Sequence, residues 1–323
     1  TLLETKSLSL LIIIKPSTKK QSEKPLMWLK SICKKRSFSY CMFTTTGSFN
    51  DDCAQIRLLL SKFTKVVVLG GDGTLSLAVN ALIGSSCTLA LLPCGTGNDF
   101  SRGFNCKEDD WRKALFNTPT AIDVGKINSR YFINIAGVGF DAHVVKAINA
   151  KASFSSFDYS WTSIKELFYY QAQQLQGTFN NDARQYQNLI TVFANHKYFG
   201  GGLKIAPKAD LTDGQLECYQ MRSGGLFYNV ISFIKLFFKR HEYIKNLTYS
   251  RLNTASINTE GLLIEADGEL IGKTPAVVSV YRQVLLFHMP IKSAFSKVGA
   301  FALVALITRL TGDGATFSYC SIS

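Results

Sequence analysis

The stretch from Val66 to Leu75, Val-Val-Val-Leu-Gly-Gly-Asp-Gly-Thr-Leu, limits the fold of this chain more than any other. Three valines and a leucine in succession predict a buried parallel strand, because a strand covered on both faces needs no alternating polar residues. Apolar residues then recur at helical spacing as far as Leu82, and Gly84 marks the expected helix end. The segment is therefore predicted to be a strand, a tight turn and a helix.

The turn, Gly70-Gly71-Asp72-Gly73-Thr74, has the composition of a phosphate-binding loop. Glycines let backbone N–H groups approach a bulky anion, and the N-terminus of the following helix adds a partial positive charge. An aspartate there would repel phosphate unless Mg²⁺ or a proton stood between them, so Asp72 is a candidate functional residue. Alone, such a turn can also be a simple strand-to-helix connection with a capping aspartate.

A second loop of the same kind follows. The apolar run Leu89 to Pro93 predicts another buried strand, and Cys94-Gly95-Thr96-Gly97-Asn98-Asp99-Phe100 comes directly after it. One predicted helix separates the two strands, which is the length of a βαβ crossover. Both loops are then expected at the carboxyl ends of neighbouring parallel strands, where ligands bind in such sheets.

These two loops together resemble the catalytic domain shared by diacylglycerol kinases, sphingosine kinases and bacterial lipid kinases. NAD kinases and phosphofructokinases carry a loop like the first one, but not the pattern from Pro93 to Arg102. The resemblance covers roughly residues 8 to 290. It continues through Ile122-Asp123-Val124-Gly125, Tyr131 to Asp141, Lys204 to Pro207, Asp213-Gly214 and Asp267-Gly268-Glu269.

The resemblance implies an α/β plus all-β fold. Residues 1-121 would form a Rossmann-like nucleotide-binding domain and residues 122-290 an antiparallel β-sandwich, with the active site in the cleft between them. Residues 291-323 would be a tail of unknown role. Within the second half, the residue pattern predicts helices over 159–175 and 224–244, and strands over 189–194, 216–221, 262–266 and 277–289.

The resemblance also implies which residues bind the nucleotide. They belong to the segment after the first strand, to a threonine after the second strand and to the two glycine-rich loops. The implied residues are Lys15, Pro16, Ser17, Thr18, Lys19, Thr46, Gly70, Gly71, Asp72, Gly73, Thr74, Leu75, Thr96 and Asn98. Thr46 could equally be a turn or helix cap.

The candidate catalytic residues implied by the resemblance are Glu269, Asp267 and Asp72. Phosphoryl transfer requires an in-line acceptor, neutralised charge and a group that takes the hydroxyl proton. The resemblance gives the proton to Glu269 and places Asp267 and Asp72 in a Mg²⁺–water network. Taken alone, Asp267-Gly268-Glu269 would be a common hairpin turn.

A second Mg²⁺ site is implied at the acidic turn after Ala209. Asp213, with backbone oxygens at Asp210 and Gln215, matches a structural Mg²⁺ loop of the bacterial members, and oxygen ligands suit this cation. An Asx-turn that needs no ion remains open.

The implied function is an ATP-dependent, Mg²⁺-dependent lipid kinase that phosphorylates a hydroxyl of diacylglycerol or of a long-chain base. Two alternatives remain. One is a small-molecule kinase like NAD kinase. The other is a catalytically impaired nucleotide- or lipid-binding homologue, because Lys15 and Leu77 stand where the family has asparagine and glutamate.

The charge of the chain suggests its surroundings. Lys and Arg number 36 and Asp and Glu number 23, which gives a formal charge of +13. With no apolar run long enough to span a bilayer, we expect peripheral contact with an anionic membrane surface. No basic block with interleaved aromatics occurs, so nucleic acid is not expected. The eight cysteines form no C-x-x-C pair and fit a cytoplasmic location, and a homodimer stays open.

Overall fold

The computed structural model of the chain describes residues 9–16, 22–149, 156–238, 240 and 243–292. Ser17, Thr18 and Lys19, which were predicted to contact nucleotide, lie outside the described residues, as does the predicted tail beyond residue 292.

The first half is a parallel sheet with the strand order β2-β1-β3-β4. Its central strand β3, Lys65–Gly70, is buried at every position, because it has a neighbour on each edge and α3 packed against it. The other strands are β1 (Ser9–Ile14), β2 (Ser39–Thr44) and β4 (Thr88–Pro93). The helices are α1 (Glu23–Lys35), α2 (Phe49–Leu59), α3 (Asp72–Leu82), α4 (Asp99–Arg102) and α5 (Glu108–Ala114).

The second half pairs its strands antiparallel throughout the described residues. Its strands are β5 (Thr120–Ile127), β6 (Arg130–Phe132), β7 (Ile135–Gly139), β8 (Gln173–Phe179), β9 (Asp182–Ala194), β10 (Tyr198–Phe199), β11 (Leu203–Lys204), β12 (Leu216–Arg222), β13 (Leu247–Leu252), β14 (Thr254–Ile257), β15 (Leu263–Ala266), β16 (Glu269–Lys273) and β17 (Ala276–Phe287). Its helices are α6 (Phe140–Asn149), α7 (Ser156–Leu167) and α8 (Leu226–Phe237).

The two halves share one continuous sheet. The main strand path is β16-β15-β7-β9-β8-β14-β17-β4-β3-β1-β2, and the last residue of β17, Phe287, pairs in parallel with Leu89 of β4. This join fixes the second half against the strand that leads into the second glycine-rich loop.

Alternation along the strands of the second half builds two apolar layers. Phe193 of β9 lies in a cluster enclosed between strands, whereas Val192 and Ala194 face a cluster that also contains side chains of α6, α7 and α8. The predicted α/β domain followed by an antiparallel β-sandwich is confirmed. The domain boundary between residues 121 and 122 stays a prediction.

The predicted helix over 159–175 is wrong in its second part. The helix α7 ends at Leu167, and the residues from Gln173 onward form β8. In β8 the residues Leu175, Gly177 and Phe179 are buried, while Gln174 and Gln176 are exposed. This period of two fits a strand paired with β9 and not a helix.

The predicted helix over 224–244 is shorter in the structure, because α8 begins at Leu226 and ends at Phe237. The helix α8 ends just before the point where the apolar residues at helical spacing are followed by the polar sequence after Phe238. The helix α6 was not predicted, although it begins directly after the strand β7.

Candidate functional site

The two glycine-rich loops touch each other through their backbones. A Cβ atom built on Gly71 would lie 2.9 Å from the Cα of Gly95, and a Cβ on Gly95 would collide with Gly71. The φ angles of Gly71 and Gly95 are not positive. Glycine is therefore required here for close approach of two chains and not for an unusual backbone angle.

Asp72 holds the two loops together. It is the first residue of α3, and its Oδ2 and Oδ1 accept hydrogen bonds from the backbone N–H groups of Asp99 (3.0 Å) and Phe100 (2.9 Å). Its charge is already compensated in part by the first N–H groups of α4, since such groups carry partial positive charge.

Asp99 is the functional candidate that the sequence analysis missed. Its side chain is buried, its Oδ2 accepts the backbone N–H of Gly201 at 2.7 Å, and its Oδ1 has no hydrogen-bond partner, the nearest cation being Arg102 Nε at 3.6 Å. Burial raises the pKa of Asp99 to about 6, and the nearby Asp72 adds to the rise. The signal was its place in the second motif, two residues after Gly97.

Several side chains that were predicted to contact the nucleotide instead make contacts within the glycine-rich loops. The side chain of Asn98, at φ 52, accepts a bond from the N–H of Gly95 and donates another to its carbonyl. Leu75 is completely buried in the apolar core of the first half, and its N–H donates to the carbonyl of Gly71. Thr74 packs on Gly70, and Thr96 is exposed.

The loop at Thr46 is organised by Asp52. The carboxylate of Asp52 accepts the N–H and the hydroxyl of Thr46, and it also accepts the N–H of Gly47 at 3.2 Å. The Thr46 hydroxyl in turn accepts the N–H of Ser48. Thr46 therefore acts as a turn residue in this structure.

The segment after β1 was also predicted to contact the nucleotide. The structure describes two of its predicted residues, Lys15 and Pro16, and both are exposed.

On the other side of the candidate site, Asp267 lies in a nest of backbone donors. Its carboxylate accepts the N–H groups of Ile133 (3.0 Å), Asn134 (2.9 Å) and Ile135 (3.2 Å). Burial raises the pKa of Asp267 to about 6, while these donors act in the opposite direction. Asp267 thus anchors the segment between β6 and β7, and its place in a Mg²⁺–water network stays a prediction.

Glu269 is exposed at the first position of β16. The turn before it has two positive φ values, at Asp267 (50°) and Gly268 (83°), and Glu265 accepts the N–H of Gly268 at 2.9 Å. The side chain of Glu269, which is implied to take a proton, is therefore exposed to solvent. The turn that precedes it is held in place by the hydrogen bonds of Asp267 and Gly268.

A buried pair of carboxyl groups lies behind this turn. Asp141 and Glu265 are almost completely buried, and both oxygens of Asp141 have no hydrogen-bond partner. Gly137 leaves the space for the carboxyl of Asp141, since a Cβ there would overlap it. Burial raises the pKa of Asp141 to about 7, and burial and then Asp141 raise the pKa of Glu265.

The acidic turn that was predicted to hold a structural Mg²⁺ satisfies its carboxylates locally. Asp210 accepts the N–H and hydroxyl of Thr212, and Asp213 accepts the N–H of Gln215 at 3.0 Å. The second oxygen of Asp213 is 3.9 Å from Arg251. This pattern is that of an Asx-turn, so the Mg²⁺ site at Asp213, Asp210 and Gln215 stays a prediction.

The part of the chain that the structure describes holds no cluster of three or more His, Cys, Asp or Glu side chains able to bind a metal. A cation at the two loops would have two carboxylates, Asp72 and Asp99, and the buried Oδ1 of Asp99 lacks a hydrogen-bond partner. Mg²⁺ at phosphate sites commonly uses one or two carboxylates together with substrate oxygens. These residues therefore fit Mg²⁺ bound with a phosphate.

The fold and the apposed loops define a two-part protein, an α/β sheet continued by a β-sandwich, with a candidate phosphate site where they meet. Residues 9–127 match the family model described as the diacylglycerol kinase catalytic domain, and residues 134–288 match the one described as the YegS C-terminal NAD kinase beta sandwich-like domain. The chain belongs to the diacylglycerol kinase catalytic-domain family. Its membership of this family identifies it as a kinase.

Individual relatives agree with this assignment. A diacylglycerol kinase from Bacillus subtilis (strain 168) is 28% identical over 247 residues, which are 70% of this chain and 78% of that protein. A diacylglycerol kinase from Mycobacterium tuberculosis (strain ATCC 25618 / H37Rv) is 27% identical over 225 residues, 66% of this chain and 73% of that protein.

The fold also occurs among solved structures. The crystal structure of a diacylglycerol kinase from Bacillus anthracis str. Sterne matches with a TM-score of 0.69 at 21% identity, covering 91% of this chain and all of that one.

Proposed function

We propose that this protein is an ATP-dependent lipid kinase that transfers the γ-phosphoryl group of ATP to a hydroxyl of a lipid such as diacylglycerol or a long-chain base. The observation that carries the proposal is the junction of the two glycine-rich loops. The backbones of Gly71 and Gly95 meet, and Asp72 binds the first N–H groups of α4. Together with the family assignment, this supports a phosphate site formed by both loops.

Each residue of the site has a part in this proposal. The N–H groups of the loops would bind phosphate oxygens, and Asp72 and Asp99 would hold Mg²⁺, which when bound neutralises phosphate charge. Glu269 would take the proton of the lipid hydroxyl as its oxygen attacks phosphorus. Asp267 and Glu265 would position Glu269 by fixing the turn that precedes it.

The test is a turnover assay with labelled ATP and a panel of lipids in mixed micelles, with Mg²⁺ and with a chelator. Phosphorylation of a glycerolipid or long-chain base that requires Mg²⁺ is the expected result. Formation of NADP from NAD, with no lipid product, would favour the NAD-kinase-like alternative. Nucleotide binding without turnover of any substrate would favour the catalytically impaired homologue.

We also propose that the protein works at an anionic membrane surface. Within the described residues, no helix combines the length and the apolar character that crossing a bilayer requires. The helices α7 and α8 pack together, and seven exposed apolar residues lie on them or directly after them. This set, called the aromatic face here, consists of Ile164, Phe168, Tyr169, Leu226, Phe227, Ile234 and Phe238.

Basic residues accompany this aromatic face. Lys165 lines the same open pocket as Ile164, Phe168 and Tyr169, and Arg240 and Lys245 are exposed beyond α8. Aromatic rings next to lysine and arginine suit the interface of a bilayer that contains anionic lipids, because the rings enter the headgroup region while the cations meet phosphates. A lipid substrate would be reached from such a surface.

A further inference from the structure

Arg130 joins the two halves of the chain beside the candidate site. Its guanidinium carbon lies 3.4 Å from the centroid of the Phe49 ring, a cation–π contact. Phe49 is the first residue of α2 and follows the loop at Thr46 after two residues. Arg130 is the first residue of β6 in the second half. The contact therefore holds a cation next to a loop that the resemblance assigns to nucleotide binding.

The residues after Arg130 fix its place relative to α3 and to the turn at Asp267. The N–H of Tyr131 donates to Asn80 Oδ1 at 2.9 Å, and its carbonyl accepts from Asn80 Nδ2 at 2.8 Å. Asn80 lies on α3, the helix that begins at Asp72. Two residues further on, Ile133 donates to Asp267. The start of β6 is thus tied to the C-terminal part of α3, and the residue directly after β6 is tied to the turn that precedes Glu269.

The carboxylates of the turn Asp267-Gly268-Glu269 lie close enough to Arg130 to affect its charge. Burial lowers the pKa of Arg130, and the carboxylates of Glu269 and then Asp267 oppose that effect. The Nη1 nitrogen is buried and has no hydrogen-bond partner. An unpaired guanidinium N–H is costly to bury, so a bound anion that accepts from Nη1 would remove a penalty that the free protein carries.

We propose that Arg130 binds the phosphoryl group during transfer, between the nucleotide loops and Glu269. This inference rests on the proposed lipid-kinase function. The bond from phosphorus to the ADP oxygen breaks, the bond to the lipid oxygen forms, and the hydroxyl proton passes to Glu269. Arg130 forms no covalent bond and moves no proton. It donates N–H bonds to phosphoryl oxygens, whose charge a guanidinium stabilises in the transition state.

The experiment compares Arg130→Ala, Arg130→Lys and Arg36→Ala with the wild type. Arg36 is the matched control, because its guanidinium also stacks on an aromatic ring, that of Phe116, at 4.0 Å. Turnover at saturating substrates is measured together with calorimetric affinities for ATP, ADP and AMP, and thermal unfolding reports folding. Free guanidinium ion is added at millimolar concentration to test for chemical rescue.

The expected result is a loss of kcat of about a hundredfold or more in Arg130→Ala, with partial rescue by guanidinium and a reduced preference for ATP over AMP. Arg130→Lys keeps a charge over Phe49 but lacks the planar fork, so it should fold like the wild type and still lose at least about tenfold in kcat. Arg36→Ala should retain wild-type kcat and nucleotide preference.

Other outcomes separate this inference from the proposed function. If the wild type phosphorylates no lipid, yet its preference for ATP over AMP disappears in Arg130→Ala, the lipid-kinase proposal fails and the phosphate-binding role stands. If Arg130→Ala lowers the unfolding free energy but leaves kcat and nucleotide preference unchanged, Arg130 only stabilises the contact between the two halves. That result would overturn the inference. A shifted pH profile with unchanged maximal kcat and ATP affinity would make it only a counter-ion of Glu269, which overturns the inference as well.

Discussion

Gly71 and Gly95 meet backbone to backbone, and no side chain fits between them. One glycine follows β3 and the other follows β4, which are paired in parallel. Because the two strands are adjacent and parallel, both loops lie at the carboxyl ends of the strands. The absence of a Cβ atom on each glycine lets the two loops come into contact. The candidate phosphate site is therefore a single surface built from two separate motifs.

The contact between these glycines predicts that Gly95→Ala opens the site. Its Cβ would collide with Gly71, so the loops must separate, at a cost of about 1–3 kcal/mol of unfolding free energy. Nucleotide affinity should fall with it. Gly73→Ala is the control for folding, because a Cβ at Gly73 meets nothing within 4 Å. Denaturant unfolding and calorimetry measure both effects, and equal stability of the two variants would contradict the prediction.

Asp72→Asn is predicted to lose both stability and turnover. An asparagine amide presents an NH₂ group to one of the N–H donors of Asp99 and Phe100 that the aspartate now accepts. The unpaired donor should cost about 1–3 kcal/mol, and loss of a carboxylate from the proposed Mg²⁺ pair should lower kcat about a hundredfold or more.

The matched control for Asp72→Asn is Asp51→Asn. Asp51 is an exposed acid in the first turn of α2, and its carboxylate accepts a hydrogen bond from the Ser48 hydroxyl at 2.6 Å. This control should keep wild-type turnover. Normal turnover of a folded Asp72→Asn protein would remove Asp72 from the catalytic residues.

Glu269→Gln and Asp267→Asn should fail in different ways. Glutamine keeps the size of Glu269 but cannot take a proton, so kcat should fall by about 10²–10⁴ with ATP affinity unchanged. Asp267→Asn would disturb the three backbone donors from Ile133 to Ile135 and should lower the unfolding free energy. Turnover, calorimetry and denaturant unfolding separate the two. Loss of ATP binding with normal residual kcat in Glu269→Gln would make Glu269 a nucleotide ligand.

The buried carboxyl of Asp141 predicts an unusual pH dependence of stability. Its pKa in the folded protein is raised to about 7 by burial, from 3.8. Between these values the folded state binds more protons than the unfolded state, so the unfolding free energy falls as pH rises from about 4 to about 7.

Asp141→Asn removes this titration. The variant should lose less unfolding free energy between pH 4 and pH 8 than the wild type, by at least about 1 kcal/mol. The partner Glu265 contributes in the same direction, because its pKa is raised as well. Denaturant unfolding at several pH values is the measurement, and parallel curves for the two proteins would contradict the prediction.

The aromatic face predicts how membrane binding is lost. Phe168→Ser with Phe227→Ser removes two rings that are 58% and 80% exposed, and it should weaken sedimentation with anionic vesicles by roughly tenfold. Leu58→Ser is the control, since Leu58 is 79% exposed on α2, outside that face. High salt should weaken wild-type binding. Equal wild-type binding to neutral and anionic vesicles at low salt would contradict the proposal.

Local sequence was sufficient for the parts whose signal is local. The apolar run of β3, the glycines after it and the apolar period of α3 predicted a strand, a turn and a helix, because each depends on neighbours within a few residues. The second loop and its spacing were sufficient to place both loops at one sheet edge. Where two periods competed, as at Leu175, the pairing of β8 with β9 decided in favour of a strand.

The long-range contacts were decided only by the tertiary structure. Asp72 accepts from Phe100, Asp267 from Asn134, and Arg130 stacks on Phe49, across sequence separations that no local pattern records. Each contact joins a side chain to a backbone donor or a ring from a distant segment, and many residues of the same type could have made it. Sequence thus determined which motifs are candidates for phosphate binding, whereas the folded sheet determined which groups surround them and how their charges are compensated.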